Sequence, residues 1–285
     1  MLTETVMVTQ KIKRLSNFAI FILNNKKGRK VLDMTLTEWL QKELNCYPLY
    51  VIDHKEGEDV KKRIALYCNN YEYIFVLYDK TPFVNKNLIE TLIEYVSIKG
   101  SKACKLPCGA IYNTSYYLGS GNINYDSIYM NNQELFTIVE TEEQVAMAEK
   151  YFSKKIIIDL QKQGVAFENP NSVIISAKST IGRNCTIFSN CVFRGKCIIG
   201  DNTIINNNST IIDSKIGSNS SVSNSIITKS NIGNNVIISP YCDITKSKIS
   251  DNAVIGYYVV LDNYTIKKNE IIKDRTTLAK EKNRR

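Results

Sequence analysis

The sequence predicts two folds in one chain, an α/β domain built on a small parallel sheet followed by a left-handed parallel β-helix. Aliphatic residues recur at every sixth position from Ile175 onward, and buried strands alternate with amphipathic helices before them. A period of six matches neither the helical period of about 3.6 residues nor the alternation of a strand. It is typical of hexapeptide repeats, in which stacked coils share one apolar core.

The repeat predicts which side chains point inward. A small or β-branched residue follows most of the aliphatics after four positions, and we expect it to be buried as well, from Ser179 through Cys185, Cys191 and Cys197 to Thr265. Three hexads form one triangular coil, so about sixteen hexads predict about five coils. The aliphatic positions are Ile175, Ile181, Ile187, Phe193, Ile199, Ile205, Ile211, Ile216, Val222, Ile227, Ile232, Ile238, Ile244, Ile249, Ile255 and Leu261.

Some hexads contain only five residues, as in Ile211–Ile216. We interpret them as tightened corners of the coil. Glycine follows several of the aliphatics, as in Ile199-Gly200 and Ile232-Gly233, where a Cβ would meet the turning chain.

The first domain is predicted from strand and helix signals. Thr35 and Glu38 have capping-box spacing at the start of an amphipathic helix. Tyr73–Tyr78 reads as a buried strand, and Asp79 follows it directly. Ligands of open parallel sheets bind beyond the carboxyl ends of the strands, which makes Asp79 a candidate site residue.

These signals divide the chain into four parts. Residues 1–135 are the predicted α/β domain and residues 136–170 a connecting helix and linker. Residues 171–272 are the predicted β-helix and residues 273–285 a basic tail. A capping box formed by Thr141 and Gln144 opens the connecting helix.

Composition narrows the function classes. The net charge is +9, and much of it lies in the C-terminal tail, but no aromatic platform accompanies the tail, so a nucleic-acid partner is not expected. No apolar run reaches membrane length and the N-terminus lacks a long apolar segment, so we expect a cytoplasmic protein without a membrane partner. The eight cysteines are expected to be free, as in a reducing compartment.

Several motifs resemble the bifunctional N-acetylglucosamine-1-phosphate uridyltransferase/acetyltransferase family. Val139–Val145 resembles the segment before that family's connecting helix, and Gly164–Pro170 resembles its β-helix start. Ile238–Tyr241 and Val254–Val259 resemble two of its hexapeptide motifs. Val76–Phe83 resembles its metal loop, and Gly28–Leu32 resembles a P-K-V-L motif. The resemblance implies a homotrimer and a sugar phosphate or nucleotide-sugar ligand.

The same resemblance assigns candidate binding residues. Lys30 matches a phosphate-contacting position and Arg29 lies beside it, so both are candidates for nucleotide binding. The family's metal-coordinating aspartate aligns with Lys80, while Asp79 is adjacent and Glu140 aligns with the second metal residue. Asp79 and Glu140 are therefore the candidate ligands of an Mg²⁺ ion.

Other family motifs have been lost. The glycine-rich phosphate loop is replaced by the shorter Leu23–Gly28. The family's arginine and lysine of the acetyltransferase site align with Thr245 and Asp262, and its catalytic histidine falls near Asp274. Acetyl-CoA is therefore not expected as a cofactor, and no catalytic residue is assigned.

Three hypotheses follow. The first is a binding or scaffold protein related to sugar nucleotides, with weak or lost catalysis. The second is an active sugar-1-phosphate nucleotidyltransferase that uses Mg²⁺. The third is a hexapeptide acyltransferase with an atypical site.

Overall fold

The computed structural model describes residues 17–24, 28–54, 58–128 and 133–279. Contacts divide the chain into two compact units. One comprises residues 1–31 and 35–148, and the other comprises residues 32–34 and 149–285. The long helix α5 (Glu142–Lys162) runs from one unit into the other. The sequence-based boundaries at 135, 170 and 272 stay predictions.

The first unit contains a six-stranded sheet. Its parallel part has β4 (Leu49–Asp53) and β5 (Tyr73–Tyr78) on either side of β1 (Phe18–Asn24). The order is β4-β1-β5-β7-β6-β8, completed by β6 (Ala103–Leu106), β7 (Gly109–Asn113) and β8 (Asp126–Ser127). The short strands β2 (Lys30–Val31) and β3 (Met34–Thr35) pair separately.

The parallel core confirms the α/β prediction, and the rest of the sheet adds to it. The strand β7, which the sequence did not predict, pairs antiparallel with both β5 and β6. The sheet is therefore mixed. These strands are short and carry no clear alternation of apolar and polar residues, so their pairing left little signal in the sequence.

One helix of this unit begins where the sequence predicts it. Thr35 Oγ1 accepts from the Glu38 amide at 3.1 Å, and the Thr35 amide donates to the Glu38 carboxylate at 2.6 Å, which completes the predicted capping box. A side-chain N-cap begins each of the helices α1 (Leu36–Glu43), α2 (Val60–Ala65), α3 (Lys86–Lys99) and α4 (Thr114–Leu118). Their buried faces cover the sheet strands, as in other layered α/β domains. Short 3₁₀ helices lie at Gln133–Phe136 and Pro170–Ser172.

The second unit is the predicted left-handed parallel β-helix, a triangular coil with three sheet faces. The first face consists of Ile174–Ile175, Val192–Arg194, Thr210–Ile212, Ile226–Thr228, Asp243–Thr245, Val260–Asp262 and Thr277–Ala279. The second consists of Thr180–Ile181, Ile198–Ile199, Lys215–Ile216, Asn231–Ile232, Lys248–Ile249 and Thr265–Ile266. The third consists of Ala166–Phe167, Thr186–Ile187, Ile204–Ile205, Ser221–Val222, Ile237–Ile238, Val254–Ile255 and Ile271–Ile272.

The expected inward positions are confirmed except at Ser179, which is half-buried, and at Thr265. All sixteen ladder aliphatics are buried and form one continuous core with Cys185, Cys191, Cys197 and Cys242. Thr265 is exposed, contrary to prediction. In a five-residue hexad the small inward residue, such as Ser214 or Ser230, comes three positions after the aliphatic. The predicted spacing of four positions is therefore wrong in these hexads.

The β-helix is also longer than the predicted five coils. Its first and third faces contain seven strands each, and pairing extends from Ala166 through Thr277–Ala279. The last strand retains an aliphatic at Leu278, so the ladder continues into the segment expected to be a basic tail. Residues 280–285 of that tail lie outside the described residues.

The corners hold the coils in register. Asparagines adopt left-handed backbone angles at most corners, and the Asn252 side chain bonds Asn235 and Asn269 of the neighbouring coils at 3.0 and 2.9 Å. Gly233 illustrates why glycine is required, because a Cβ there would lie 2.4 Å from Asp251 Oδ1 and 2.8 Å from the Asp251 backbone nitrogen. The same Asp251 carboxylate accepts from the Asn234 amide at 2.7 Å.

We expect Ile199→Asp to destabilise the β-helix by about 3 kcal/mol or more, because it places an unpaired charge in a closed core. Ile199 is 3% exposed, whereas the preceding Ile198 points outward and is 38% exposed. Ile198→Asp is therefore the matched control and should leave the unfolding midpoint in urea nearly unchanged. Equal midpoints for the two variants would contradict the assignment of inward and outward faces.

Candidate functional site

The carboxyl edge of the parallel strands in the first unit gathers polar side chains. The Asp79 amide donates to the Leu23 carbonyl at 3.2 Å, so the ends of β5 and β1 are adjacent. Asn24, the last residue of β1, donates from Nδ2 to Asp53 Oδ1 at 2.8 Å. Asp79 itself is only 5% exposed. The structure therefore places Asp79 at the edge where the sequence predicted a ligand site.

Glu140 lies close to this edge and forms an ion pair with Lys80. The Lys80 ammonium contacts the Glu140 carboxylate, and the Val139 amide donates to the Lys80 carbonyl at 2.8 Å. The hydrogen bond from Lys80 and the charge of Lys80 hold the pKa of Glu140 below its usual range, and the charge of Arg29 lowers this pKa further. Glu140 is therefore an anion that already has a cation beside it.

The two candidate nucleotide-binding residues lie at the start of β2. The Arg29 guanidinium forms an ion pair with Glu142, the first residue of α5. Lys30 is the exposed first residue of β2. Acidic residues in the first turn of a helix also interact favourably with the helix dipole, so Glu142 has two electrostatic partners. Binding of a nucleotide by Arg29 and Lys30 stays a prediction.

The arrangement around Glu140 does not fit an Mg²⁺ site. A hard cation needs several oxygen ligands, whereas the Glu140 carboxylate is occupied by the Lys80 ammonium. Within the part of the chain that the structure describes, no group of three or more His, Cys, Asp or Glu side chains could hold a metal ion. The assignment of Asp79 and Glu140 as metal ligands stays a prediction.

Two β-helix residues that align with acetyltransferase positions form hydrogen bonds within the β-helix. Asp274 Oδ1 accepts from the Tyr257 amide at 2.9 Å, in the same manner as Asp251 supports its own corner. Thr245 Oγ1 donates to Asp243 Oδ1 at 3.3 Å. Asp274, where the resemblance places a catalytic base, thus takes part in corner packing.

The buried cysteines of the β-helix are poor nucleophiles. Their thiols point inward, and Cys197 Sγ donates to the Ile211 carbonyl at 3.3 Å. Burial raises the pKa of Cys191 to about 11, so this thiol stays protonated at neutral pH. This supports their interpretation as small core residues.

The corner between the first and second faces forms a groove that the sequence analysis missed. Its volume is about 550 Å³, and five lysines line it, which we call the lysine groove: Lys196, Lys215, Lys229, Lys246 and Lys248. The half-buried Tyr264 and the exposed Asp213 and Asn263 also line the groove. Most of the five-residue hexads turn at this corner, whereas the hexad that contains Lys196 has six residues.

Lys229 and Lys246 adopt an unusual backbone conformation. Their φ angles are 48° and 49°, in the left-handed region that costs most L-residues about 1–2 kcal/mol. The corresponding corner residues of neighbouring coils are Gly195, Asp213 and Asn263, which are types that tolerate this conformation. A sequence signal for the groove did exist, since most shortened hexads place a polar corner residue just before a buried serine, or before the half-buried Tyr264.

These features define the class of protein, which combines a small α/β domain with a hexapeptide β-helix. Residues 178–213 match the family model of the bacterial transferase hexapeptide with six repeats, and residues 203–284 match that of the GlmU-like C-terminal hexapeptide. The β-helix is thus GlmU-like, which confirms the resemblance that the sequence motifs indicated.

Two known proteins can be compared with the chain. Bifunctional protein GlmU of Caldanaerobacter subterraneus subsp. tengcongensis is 33% identical over 106 residues, which are 37% of this chain and 23% of that relative. The matched stretch therefore spans less than a quarter of the relative. The acetyltransferase domain of PglB from Neisseria gonorrhoeae, solved in complex with acetyl coenzyme A, aligns over 92% of this chain and 96% of its own. Its TM-score is 0.33 at 12% identity, which is too low to carry an argument.

We expect Lys80→Met to raise the pKa of Glu140 towards its ordinary value, because the variant removes both the hydrogen bond and the charge that depress it. The pair contributes stability at pH values above the unfolded-state pKa of Glu140, and this contribution is lost as the pH falls through the lower folded-state pKa. An NMR pH titration of the Glu140 carboxyl group measures the shift. Lys86→Met, which removes the Glu90 ion pair instead, should leave the Glu140 titration unchanged.

Proposed function

We propose that this protein is a GlmU-like binding or scaffold protein whose catalysis is weak or lost. Its ligand class would be a sugar phosphate or nucleotide-sugar, bound at the carboxyl edge of the sheet near Asp79, Arg29 and Lys30. The observation that carries the proposal is the ion pair between Lys80 and Glu140, because it places an ammonium group where the resemblance puts a divalent metal.

The charge at this position matters for nucleotidyl transfer. Such reactions depend on positioning and on neutralising the charge that develops on phosphoryl oxygens, and a divalent ion usually provides much of that neutralisation. A lysine can attract phosphate as a point charge, so binding can persist where transfer is lost. A phosphorylated ligand would also be attracted by Arg29 and Lys30.

The β-helix supports the loss of acetyl transfer. A general base contributes about 10²–10⁴-fold to such a reaction. Asp274 stands where the resemblance places that base, and its carboxylate is bonded to the Tyr257 amide. Thr245 and Asp262 replace the two cationic residues of the resembling site, so the groups that would hold a phosphorylated amino sugar there are also missing.

We also propose that the protein is a homotrimer. An apolar edge runs along the corner between the third and first faces and contains Ile226, Ile237, Tyr241, Tyr258, Val260 and Ile271. The rings of Tyr241 and Tyr258 stack at a centroid distance of 5.0 Å, and Ile271 is 71% exposed. Exposed apolar side chains grouped along one edge mark interaction sites, and closed cyclic symmetry is the common solution for identical chains. No helix within the described residues is long and apolar enough to span a membrane.

We expect the purified protein to release no appreciable pyrophosphate from UTP and N-acetylglucosamine-1-phosphate with Mg²⁺, and to transfer no acetyl group to glucosamine-1-phosphate. A coupled pyrophosphate assay and a thiol-release assay measure the two reactions. Pyrophosphate release at roughly 1 s⁻¹ or faster, an ordinary enzymatic rate, would contradict the proposal. In that case Asp79→Ala should abolish the activity and the nucleotidyltransferase hypothesis would replace the present one.

We expect light scattering to give a trimer mass at tens of micromolar protein. Ile237→Asp should shift the mass towards the monomer, because it places a charge within the apolar edge, while its 51% exposure lets the chain fold. Ile198→Asp places the same charge on the second face and is the control. A monomer mass for the unmodified protein would exclude the trimer.

A further inference from the structure

We propose that the lysine groove binds a small ligand that carries a chain of two or more phosphate groups. The groove lies within the β-helix unit and shares no residue with the candidate site of the α/β unit. Its function is thus independent of the proposed nucleotide or sugar-phosphate binding at Asp79.

The groove concentrates positive charge. None of its five ammonium groups forms an ion pair within 4.0 Å among the described residues. One acidic side chain, Asp213, lines the groove, and its Oδ1 accepts the Lys196 amide at 3.0 Å. The local charge is therefore strongly positive. A ligand that supplies several negative charges would relieve the repulsion among the lysines.

The spacing of the lysines suits a chain of anions better than one ion. Lys229 and Lys246 occupy the same corner in consecutive coils, because the Lys246 amide bonds to Thr228 in the preceding coil. Lys215 and Lys248 face outward on the second face with Asn231 between them in register. Coils stack at about 4.8 Å, so these charges form a double row about 10 Å long.

The conformation of Lys229 and Lys246 is a second, independent observation. Both lysines occupy left-handed corner positions that glycine, aspartate and asparagine fill in the adjacent coils. Packing does not require lysine there, since both side chains are exposed. A residue that breaks a local backbone preference without a compensating contact indicates a functional constraint. Here the feature that lysine adds is its charge.

The size and lining of the groove favour a small ligand over nucleic acid. A volume of about 550 Å³ lies in the range of small-molecule sites. Proteins that bind single strands present aromatic rings for the bases, whereas among the described residues Tyr264 is the one aromatic side chain lining this groove and is half-buried. Lysine ammonium groups bind phosphate as compact point charges without the planar geometry that arginine requires.

Isothermal titration calorimetry of the full chain with inorganic tripolyphosphate, at about 0.1 M salt, tests the proposal. We expect a micromolar Kd, and at least tenfold weaker binding by the double variant Lys229→Asn, Lys246→Asn. Asparagine suits the left-handed corner, so the thermal unfolding midpoint of this variant should be unchanged or higher by about 2–4 °C. Loss of affinity together with retained or increased stability separates loss of the site from misfolding.

The control removes the same charge elsewhere. The double variant Lys267→Asn, Lys273→Asn replaces one exposed lysine at each of the other two corners. The affinity of this variant for tripolyphosphate should stay within about twofold of that of the unmodified protein. A tenfold loss in this control would show that net charge rather than the groove binds the anion, and would overturn the proposal. Absence of binding at millimolar tripolyphosphate would overturn it as well.

Further titrations identify the ligand chemistry. Orthophosphate should bind at least tenfold more weakly than tripolyphosphate, and equal affinities would contradict a site for linked phosphates. Tighter binding of ADP than of pyrophosphate would indicate a nucleoside-linked diphosphate, whereas equal binding would indicate that the phosphate chain alone is recognised. A single-stranded oligonucleotide that binds more tightly than tripolyphosphate, and loses affinity in the groove variant, would replace the proposal with nucleic-acid binding.

Discussion

Coil-on-coil stacking is the constraint on which the rest of the β-helix depends. One coil cannot bury its own apolar residues, so each aliphatic such as Ile199 is covered only when the coils above and below pair with it. The backbone hydrogen bonds of every strand are made to the same neighbours. Burial and pairing therefore require one register, and a slip of one residue would turn the ladder outward.

That register explains the chemistry of the corners. Because each corner lies directly over the previous one, side chains there form columns with a spacing set by the coil. Asparagines in such a column bond one another, as Asn235, Asn252 and Asn269 do. Tyr241 and Tyr258 stack their rings in another column, and Lys229 and Lys246 repeat a positive charge in a third. The fold thus converts a sequence repeat into a linear array of one functional group.

The α/β unit differs because its candidate site depends on chain segments that are far apart in sequence. Lys80 and Glu140 are separated by sixty positions, yet their side chains form an ion pair at the strand edge. The pair neutralises a carboxylate that would otherwise be available to a cation. Its presence connects the departure from the resembling metal loop at Lys80 with the proposed loss of nucleotidyl transfer.

Much of the fold was predictable because its signals are local. The six-residue period identified the β-helix and its inward aliphatics, and the capping box at Thr35 and Glu38 located a helix start. The strand before Asp79 was predicted from its apolar run. These features need only a few neighbouring residues, so the pattern of residue types is enough to indicate them.

The remaining features were decided by tertiary structure. The antiparallel pairing of Ala103–Leu106 with Gly109–Asn113, and of the latter with Tyr73–Tyr78, depends on contacts that alternation in the sequence does not encode. The lysine groove arises because the stacked coils bring Lys196, Lys215, Lys229, Lys246 and Lys248 together, although they are spread over more than fifty positions. By itself the sequence determined the repeat, the core and the loss of family motifs. The stacking of the coils and strands determined which charged side chains meet, because it sets the distances between these side chains.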